Sequence, residues 1–180
     1  MKTEEKITTD HIIDTPYIGY SSVSGLDYFK TATSCGICAV GMILSLQKIP
    51  VNINSLIENG HNNGGFTPLG WLHSYLVGLL QENGLNYARL ENCPIEQSLQ
   101  QIKEGILDGG PVIVSVNKLC LEQISFHIVL IVGIKINPDK SIAGFFYHDP
   151  AASTKENGSL HFVSVENFIK FWRKMMITKI

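Results

Sequence analysis

The run Phe126-His127-Ile128-Val129-Leu130-Ile131-Val132-Gly133-Ile134 constrains the chain most. It is the most apolar stretch of the sequence, yet it falls well short of the roughly 18 uninterrupted apolar residues of a membrane span. Rich in branched residues and bounded by turn-formers, it predicts a strand. Pro111-Val112-Ile113-Val114-Ser115-Val116 carries the same signature. A turn at Asn137-Pro138-Asp139-Lys140 then leads into Gly144-Phe145-Phe146-Tyr147-His148-Asp149, a partner strand that Pro150 ends. If the two strands pair around Pro138, the start of the first lies beside the end of the second. His127 and Asp149 are then neighbours across the hairpin.

Upstream the periodicity is helical. The polar pair Thr33-Ser34 gives way abruptly to Cys35-Gly36-Ile37-Cys38-Ala39-Val40-Gly41-Met42-Ile43-Leu44, predicting a buried helix from Ser34 to about Gln47 with Thr33 or Ser34 as its cap. Pro50 ends it, because a residue before proline is biased away from helix. A short helix capped at Asn54 and stopped at Gly60 should follow, then a loop over His61-Asn62-Asn63-Gly64-Gly65-Phe66. Thr67-Pro68 is a helix start by composition, with Leu69, Leu72, Leu76, Leu79 and Leu80 on one face and Gly84 as terminator. A short strand over Leu85 to Leu90 and a helix after Pro94, burying Ile95, Leu99, Ile102, Ile106 and Leu107, complete the first part. A late strand near Ser159 to Val163, a helix capped by Ser164 and a last strand over Met175 to Ile180 complete the second. Helices first, then an antiparallel sheet with one late helix, is an α+β plan.

With 180 residues and 44% hydrophobic content, the chain is expected to form one domain over residues 31–180, preceded by an irregular arm over residues 1–30 lying across its surface. The 14 basic and 16 acidic residues leave a net charge of -2 with no long block of either sign, so neither nucleic acid nor an anionic membrane is an expected partner. The polar start Met1-Lys2-Thr3-Glu4-Glu5-Lys6 has no apolar core of the kind a secretory signal needs, and a soluble cytoplasmic protein is expected. Four cysteines in so apolar a chain are expected as free thiols. The sequence carries no signal of oligomeric state.

Cys35 at the first turn of a buried helix sees the positive end of the helix dipole, which favours thiolate. It is the candidate nucleophile. Thiol acyl transfer also needs a base near the sulfur and a group to fix that base's tautomer. His127 and Asp149 are the candidates for those two roles. Cys35-Gly36-Ile37-Cys38 also has the C-x-x-C form of a redox site, but such a site should follow a buried strand, and Tyr28 to Ser34 is largely polar. Cys38 reads more simply as core. Zinc ligation by Cys93, Cys120, His148 and the early pair is formally open, but single, widely spaced cysteines argue against it. No cofactor or metal is expected. His73 is expected on a solvated helix face and His161 as an outward strand residue, while His61, in its loop, is a candidate substrate contact.

Taken together, Ser34-Cys35-Gly36 opening an apolar helix with Met42, Gly109-Gly110-Pro111-Val112-Ile113-Val114, His127 followed by its apolar run, and Asp149-Pro150 resemble the bacterial double-glycine leader peptidases and their free-standing relatives, in the papain-like superfamily. The resemblance covers roughly residues 30 to 180. It implies a papain-like fold with the nucleophile at a helix start packed on an antiparallel sheet. It also implies a peptide or amide substrate, hydrolysed through a thioester by Cys35, with His127 as general base and acid and Asp149 as its orienter. The family usually places a glutamine six residues before the nucleophile as an oxyanion donor, and that position is Phe29 here. Lys30, Thr31, Thr33 and the backbone amide of Cys35 are the available substitutes. A degenerate domain of the same fold that only binds peptides is the alternative; its usual mark is loss of a triad member, so the presence of Cys35, His127 and Asp149 favours catalysis, while Phe29 argues against full competence.

Overall fold

The computed structural model describes residues 8–117 and 126–180. In chain order its elements are β1 (Thr9–Ile12), a 3-10 turn (Tyr20–Ser22), α1 (Tyr28–Ala32), α2 (Cys35–Leu46), α3 (Ile53–Asn62), β2 (Phe66–Thr67), β3 (Gly70–Trp71), α4 (His73–Glu82), β4 (Tyr87–Glu91) and α5 (Ile95–Leu107). There follow β5 (Val112–Val116), β6 (His127–Ile136), β7 (Ile142–His148), α6 (Lys155–Gly158), β8 (His161–Ser164), α7 (Val165–Phe171) and β9 (Trp172–Lys179). Seven strands form one antiparallel sheet in the order β4-β9-β5-β6-β7-β8, with β1 also on β6. This is the α+β arrangement expected from the sequence, with Cys35 at a helix start packed on an antiparallel sheet.

The apolar run becomes β6, and its length decides the topology. Its first half pairs with β5, from Val116 opposite His127 to Val112 opposite Ile131, while its second half pairs with β1, from Ile12 opposite Gly133 to Thr9 opposite Ile136. β1 thus continues the line of β5 along the same edge of β6. Within the expected surface arm, Thr9–Ile12 is therefore part of the sheet. Gly133 is required where it enters, since a side chain there would meet the backbone of His11 and Ile12. On its other edge β6 pairs with β7, Leu130 opposite His148.

Alternation along these strands divides the apolar residues between two cores. Ile113, Ile128, Leu130, Val132 and Ile177 face α2, α3 and α4, whereas Val112, Val114, Val116, Val129 and Ile131 face α5 and α7. α2 is buried from Cys35 through Leu44. It lies deep in the first core, against β6 and α4.

Three local expectations change. The short helix is capped by Asn52, whose side chain accepts from the Ser55 amide, and it runs through Gly60 to Asn62. Gly60 stays helical because the Trp71 ring packs where its side chain would be. Thr67-Pro68 opens no helix but lies in the β2–β3 hairpin, where the Thr67 hydroxyl donates to the Gly70 carbonyl and accepts from the Leu69 amide. Leu69 is consequently left exposed, and α4 starts at His73. Trp71 Nε1 donates to the Thr33 carbonyl at 2.6 Å, tying the hairpin to the start of α2, a long-range contact that local composition does not show. Finally, the last strand, β9, begins at Trp172 rather than Met175 and lies between β4 and β5. Among the described residues no helix is long and apolar enough to cross a membrane.

Candidate active site

Cys35 is the first residue of α2, and no side chain caps that helix. The expected cap does not form because α1 leads directly into α2. The Ser34 hydroxyl turns back to donate to the Thr31 carbonyl at 2.8 Å and also contacts Cys38 Sγ. The first amides and the positive end of the dipole are thereby left to Cys35.

His127, at the start of β6, is buried to 5% exposure, and Asp149, just past the end of β7, to 1%. The hairpin brings them together as its register requires: His127 Nε2 and Asp149 Oδ1 are 2.6 Å apart. With Nε2 engaged by the carboxylate, the nitrogen left toward the thiol is Nδ1. Among the described residues Nδ1 has no hydrogen-bond partner.

The electrostatics follow from these contacts. Burial alone would raise the Cys35 pKa, but His127, the Ile128 backbone amide and the Tyr20 hydroxyl all favour the thiolate, and the net shift is downward. Burial alone would lower the His127 pKa, but Asp149 and Cys35 reverse it and the net shift is upward. The two opposite shifts are those of a pair in which a charged thiolate and a charged imidazolium favour each other.

The N-terminal segment braces this pair. The Tyr17 hydroxyl donates to the Asp149 carbonyl at 2.8 Å, and the Tyr20 amide donates to the Pro150 carbonyl at 2.8 Å. Asp149 Oδ1 also accepts from the Ala151 amide, and the Asp149 amide donates to Gly158. Tyr20, whose phenol lies against Cys35 and lines the cleft, has no motif around it in the sequence; only the folding of the segment from Tyr17 to Tyr20 onto the site reveals it.

A cleft of about 380 Å³ opens over Cys35 and His127. One wall is aromatic, built by Phe29, Phe66 and Trp71. Phe29 is 59% exposed with its ring edge-on to Phe66, and it brings no hydrogen-bond donor to the thiol. The other substitutes considered for the missing donor differ in place: Thr33 lines the cleft but its hydroxyl donates to the Phe29 carbonyl, and the Thr31 hydroxyl donates to the Asp27 carbonyl. Lys30 points to Asp27.

The remaining histidines and cysteines fall elsewhere. His61 is not in a loop but on α3, with its ring 4.5 Å from Phe66 and edge-on to Trp71, one layer behind the cleft wall. His73 is not on a solvated face; the later start of α4 turns it inward, where it is 9% exposed and lines the cleft. His161 is a half-buried β8 residue bonded to the Asn157 carbonyl. His148 has both ring nitrogens engaged, Nε2 donating to the Thr15 carbonyl and Nδ1 accepting from the Leu160 amide, so it offers no lone pair to a metal. Cys38 is fully buried in the first core, and burial pushes its thiol up to about 12, against the redox reading. Cys93 is a half-buried loop residue, and Cys120 lies outside the described residues.

The model of the Peptidase_C39 like family matches residues 12–180. The chain belongs to the Peptidase_C39 like family. Solved structures agree with that membership at the level of fold. This C39-like chain is 16% identical to a C39-like peptidase from Bacillus anthracis, with a TM-score of 0.66 over 96% of this chain and 98% of the other. It is 16% identical to a double glycine motif protease from an AMS/PCAT transporter, solved in complex with the leader peptide, with a TM-score of 0.60 over 93% and 91% of the two chains. The peptidase domain of Streptococcus ComA gives 16% identity and a TM-score of 0.56 over 86% and 93%. No curated protein matches the sequence. Membership in this family supports a cysteine peptidase type of function.

Proposed function

We propose that the protein is a cysteine peptidase in which Cys35 is the nucleophile, His127 the general base and acid, and Asp149 the group that orients His127. The observation that carries this reading is the His127 Nε2 to Asp149 Oδ1 contact at 2.6 Å, which leaves Nδ1 for the thiol at the helix start. Cys35 Sγ attacks the carbonyl carbon of a peptide bond, the carbonyl electron pair moves to oxygen, and His127 Nδ1–H donates its proton to the leaving amine as the C–N bond breaks. Water then attacks the thioester, giving its proton to His127, and the thiolate leaves. The Cys35 backbone amide and the Tyr20 hydroxyl are the donors placed to stabilise the oxyanion, in place of the side chain that Phe29 cannot supply. A peptide is the expected substrate class, in keeping with the leader peptide bound to the transporter protease of the same fold.

Titration with a thiol-directed peptide electrophile near neutral pH tests the assignment. Cys35 should be labelled well ahead of Cys93, and Cys35→Ala should abolish the fast phase while leaving the fold intact. Equal labelling of the two thiols, with no loss of rate in His127→Ala, would sink the enzyme reading and leave a peptide-binding domain of the same fold.

A further inference from the structure

The cleft extends past the thiol to a polar end that the proposed reaction does not use. Ile128 sits opposite Ser115 on β5, and Val116 of β5 sits opposite Trp172 of β9. Arg173 therefore lies two strands across from the start of β6, a span of roughly 10 Å at ordinary strand spacing. Arg173, Ser115 and His73 all line the same cleft as Cys35 and His127.

Arg173 is held, but among the described residues it is not neutralised. Its Nη1 donates to the Ser115 hydroxyl at 3.0 Å, and its guanidinium carbon lies 4.2 Å from the centre of the Phe126 ring. Among the described residues no carboxylate forms an ion pair with it, whereas the nearby Arg89 is paired with Glu91. A guanidinium carries five N–H donors in a planar fork suited to a carboxylate, and among the described residues one bond to a serine leaves most of them unused.

Two further groups point the same way. α4 is a ten-residue helix whose first residue is His73, and no side chain caps it at Leu72. His73 Nδ1 is buried and has no hydrogen-bond partner among the described residues. Burial, then Arg89 and Arg173, drive the His73 pKa down to about 4, so it enters the site as a neutral donor rather than a charge. Among the described residues, a cation without an anion, a helix N-terminus without a cap and a buried ring nitrogen without a partner thus converge on one end of one cleft.

We propose that this end of the cleft is a subsite for a carboxylate of the substrate peptide, gripped by Arg173 and completed by His73 and the start of α4. At about 3.3 Å per residue of extended chain, the carboxylate lies within roughly three residues of the bond at Cys35. It is either an aspartate or glutamate side chain or the free C-terminus. The position relative to the scissile bond rests on Cys35 being the nucleophile; the binding itself does not.

The test measures binding without chemistry. Cys35→Ala protein is equilibrated with acetylated hexapeptide mixtures that carry Glu or Gln at one fixed position, each made with a C-terminal acid and a C-terminal amide, and the bound peptides are quantified by mass spectrometry. A carboxylate should improve binding at least about tenfold over its amide counterpart, the scale of a hydrogen bond to a charged group. Arg173→Gln should reduce that preference below about twofold, Arg173→Lys should retain part of it, and neutral peptides should bind all three proteins alike. A preference confined to internal Glu identifies a side chain, and one confined to the free acid identifies the C-terminus. Absence of any carboxylate preference, or its survival in Arg173→Gln, would overturn the subsite while leaving the labelling of Cys35 untouched. Should Arg173→Gln fail to fold, Ser115→Ala, which removes the hydroxyl holding the guanidinium, is expected to weaken the preference several-fold, and an unchanged preference there counts against the proposal.

Discussion

Opposite forces act on Cys35, and their balance can be measured residue by residue. Burial alone would push the thiol above its ordinary 9.0, and His127, the Ile128 amide and Tyr20 pull it below. The pH dependence of alkylation by iodoacetamide should therefore inflect below that ordinary value in the native protein. In His127→Ala the largest opposing partner is gone and burial prevails, so the inflection should move upward and the rate near neutral pH should fall. At the acid side the sign is equally fixed: as pH falls through the lowered Cys35 pKa the thiolate is protonated and the rate drops. At the alkaline side His127, with its raised pKa, still holds a proton when an ordinary histidine has lost it. An inflection that stays put in His127→Ala would show the pair to be uncoupled. Tyr20 separates from this by reaction type. Alkylation creates no tetrahedral oxyanion, whereas acylation by an activated peptide ester does. Tyr20→Phe should slow acylation by about a hundredfold, the usual scale for loss of one oxyanion donor, and alkylation far less. Equal effects on both would reduce Tyr20 to a tuner of the thiol.

At the scale of elements, the segment from β1 to Tyr20 functions as a brace for the Asp149 side of the site. Tyr17 is packed between Gly19 and Gly158, neither of which could carry a side chain without striking its ring or hydroxyl. Removing the hydroxyl in Tyr17→Phe should cost about 1 kcal/mol, the net worth of one hydrogen bond. Gly158→Ala should cost about 1–3 kcal/mol by overpacking and should also slow labelling of Cys35, because Tyr17 and Asp149 shift together. The double variant should cost less than the sum of the two single variants, since part of the collision, that with the hydroxyl, is gone; strict additivity in urea melts would mean that the two groups do not share a contact. This brace was not legible in the sequence. The signals that were legible are local: the branched run that becomes β6, the turn at Pro138 that aligns His127 with Asp149, and the abrupt apolar start of α2. The ones that were not are set by contacts between distant residues. Thr67-Pro68 has the composition of a helix start, but the Trp71 bond to Thr33 and the ring packing on Gly60 favour a hairpin there, and that moves His73 from an expected solvated face into the cleft.

At the scale of the whole molecule, the sheet separates two cores that do different work. The core beneath α2 carries Cys35 itself, along with Trp71 and Ile128 from the cleft walls, so its packing and the geometry of the site are one problem. The core beneath α5 and α7 includes Ile102, Val114, Val129 and Phe168, none of which lines the cleft. Close-packed interiors transmit strain over short range, and a strand whose two edges are paired resists bending toward either face. β6 is paired along both edges, with β5 and β1 on one side and β7 on the other, so a void opened on the α5 side should be absorbed by α5 rather than by His127. Ile102→Ala, at a fully buried position, should therefore cost about 2–5 kcal/mol, read as a lower Tm and an earlier urea midpoint. Below its melting range the variant should keep the native pH profile of Cys35 alkylation. A shifted inflection in a fully folded Ile102→Ala protein would mean that the two cores are coupled through β6, and that the imidazole at its start is positioned by packing on both faces of the sheet.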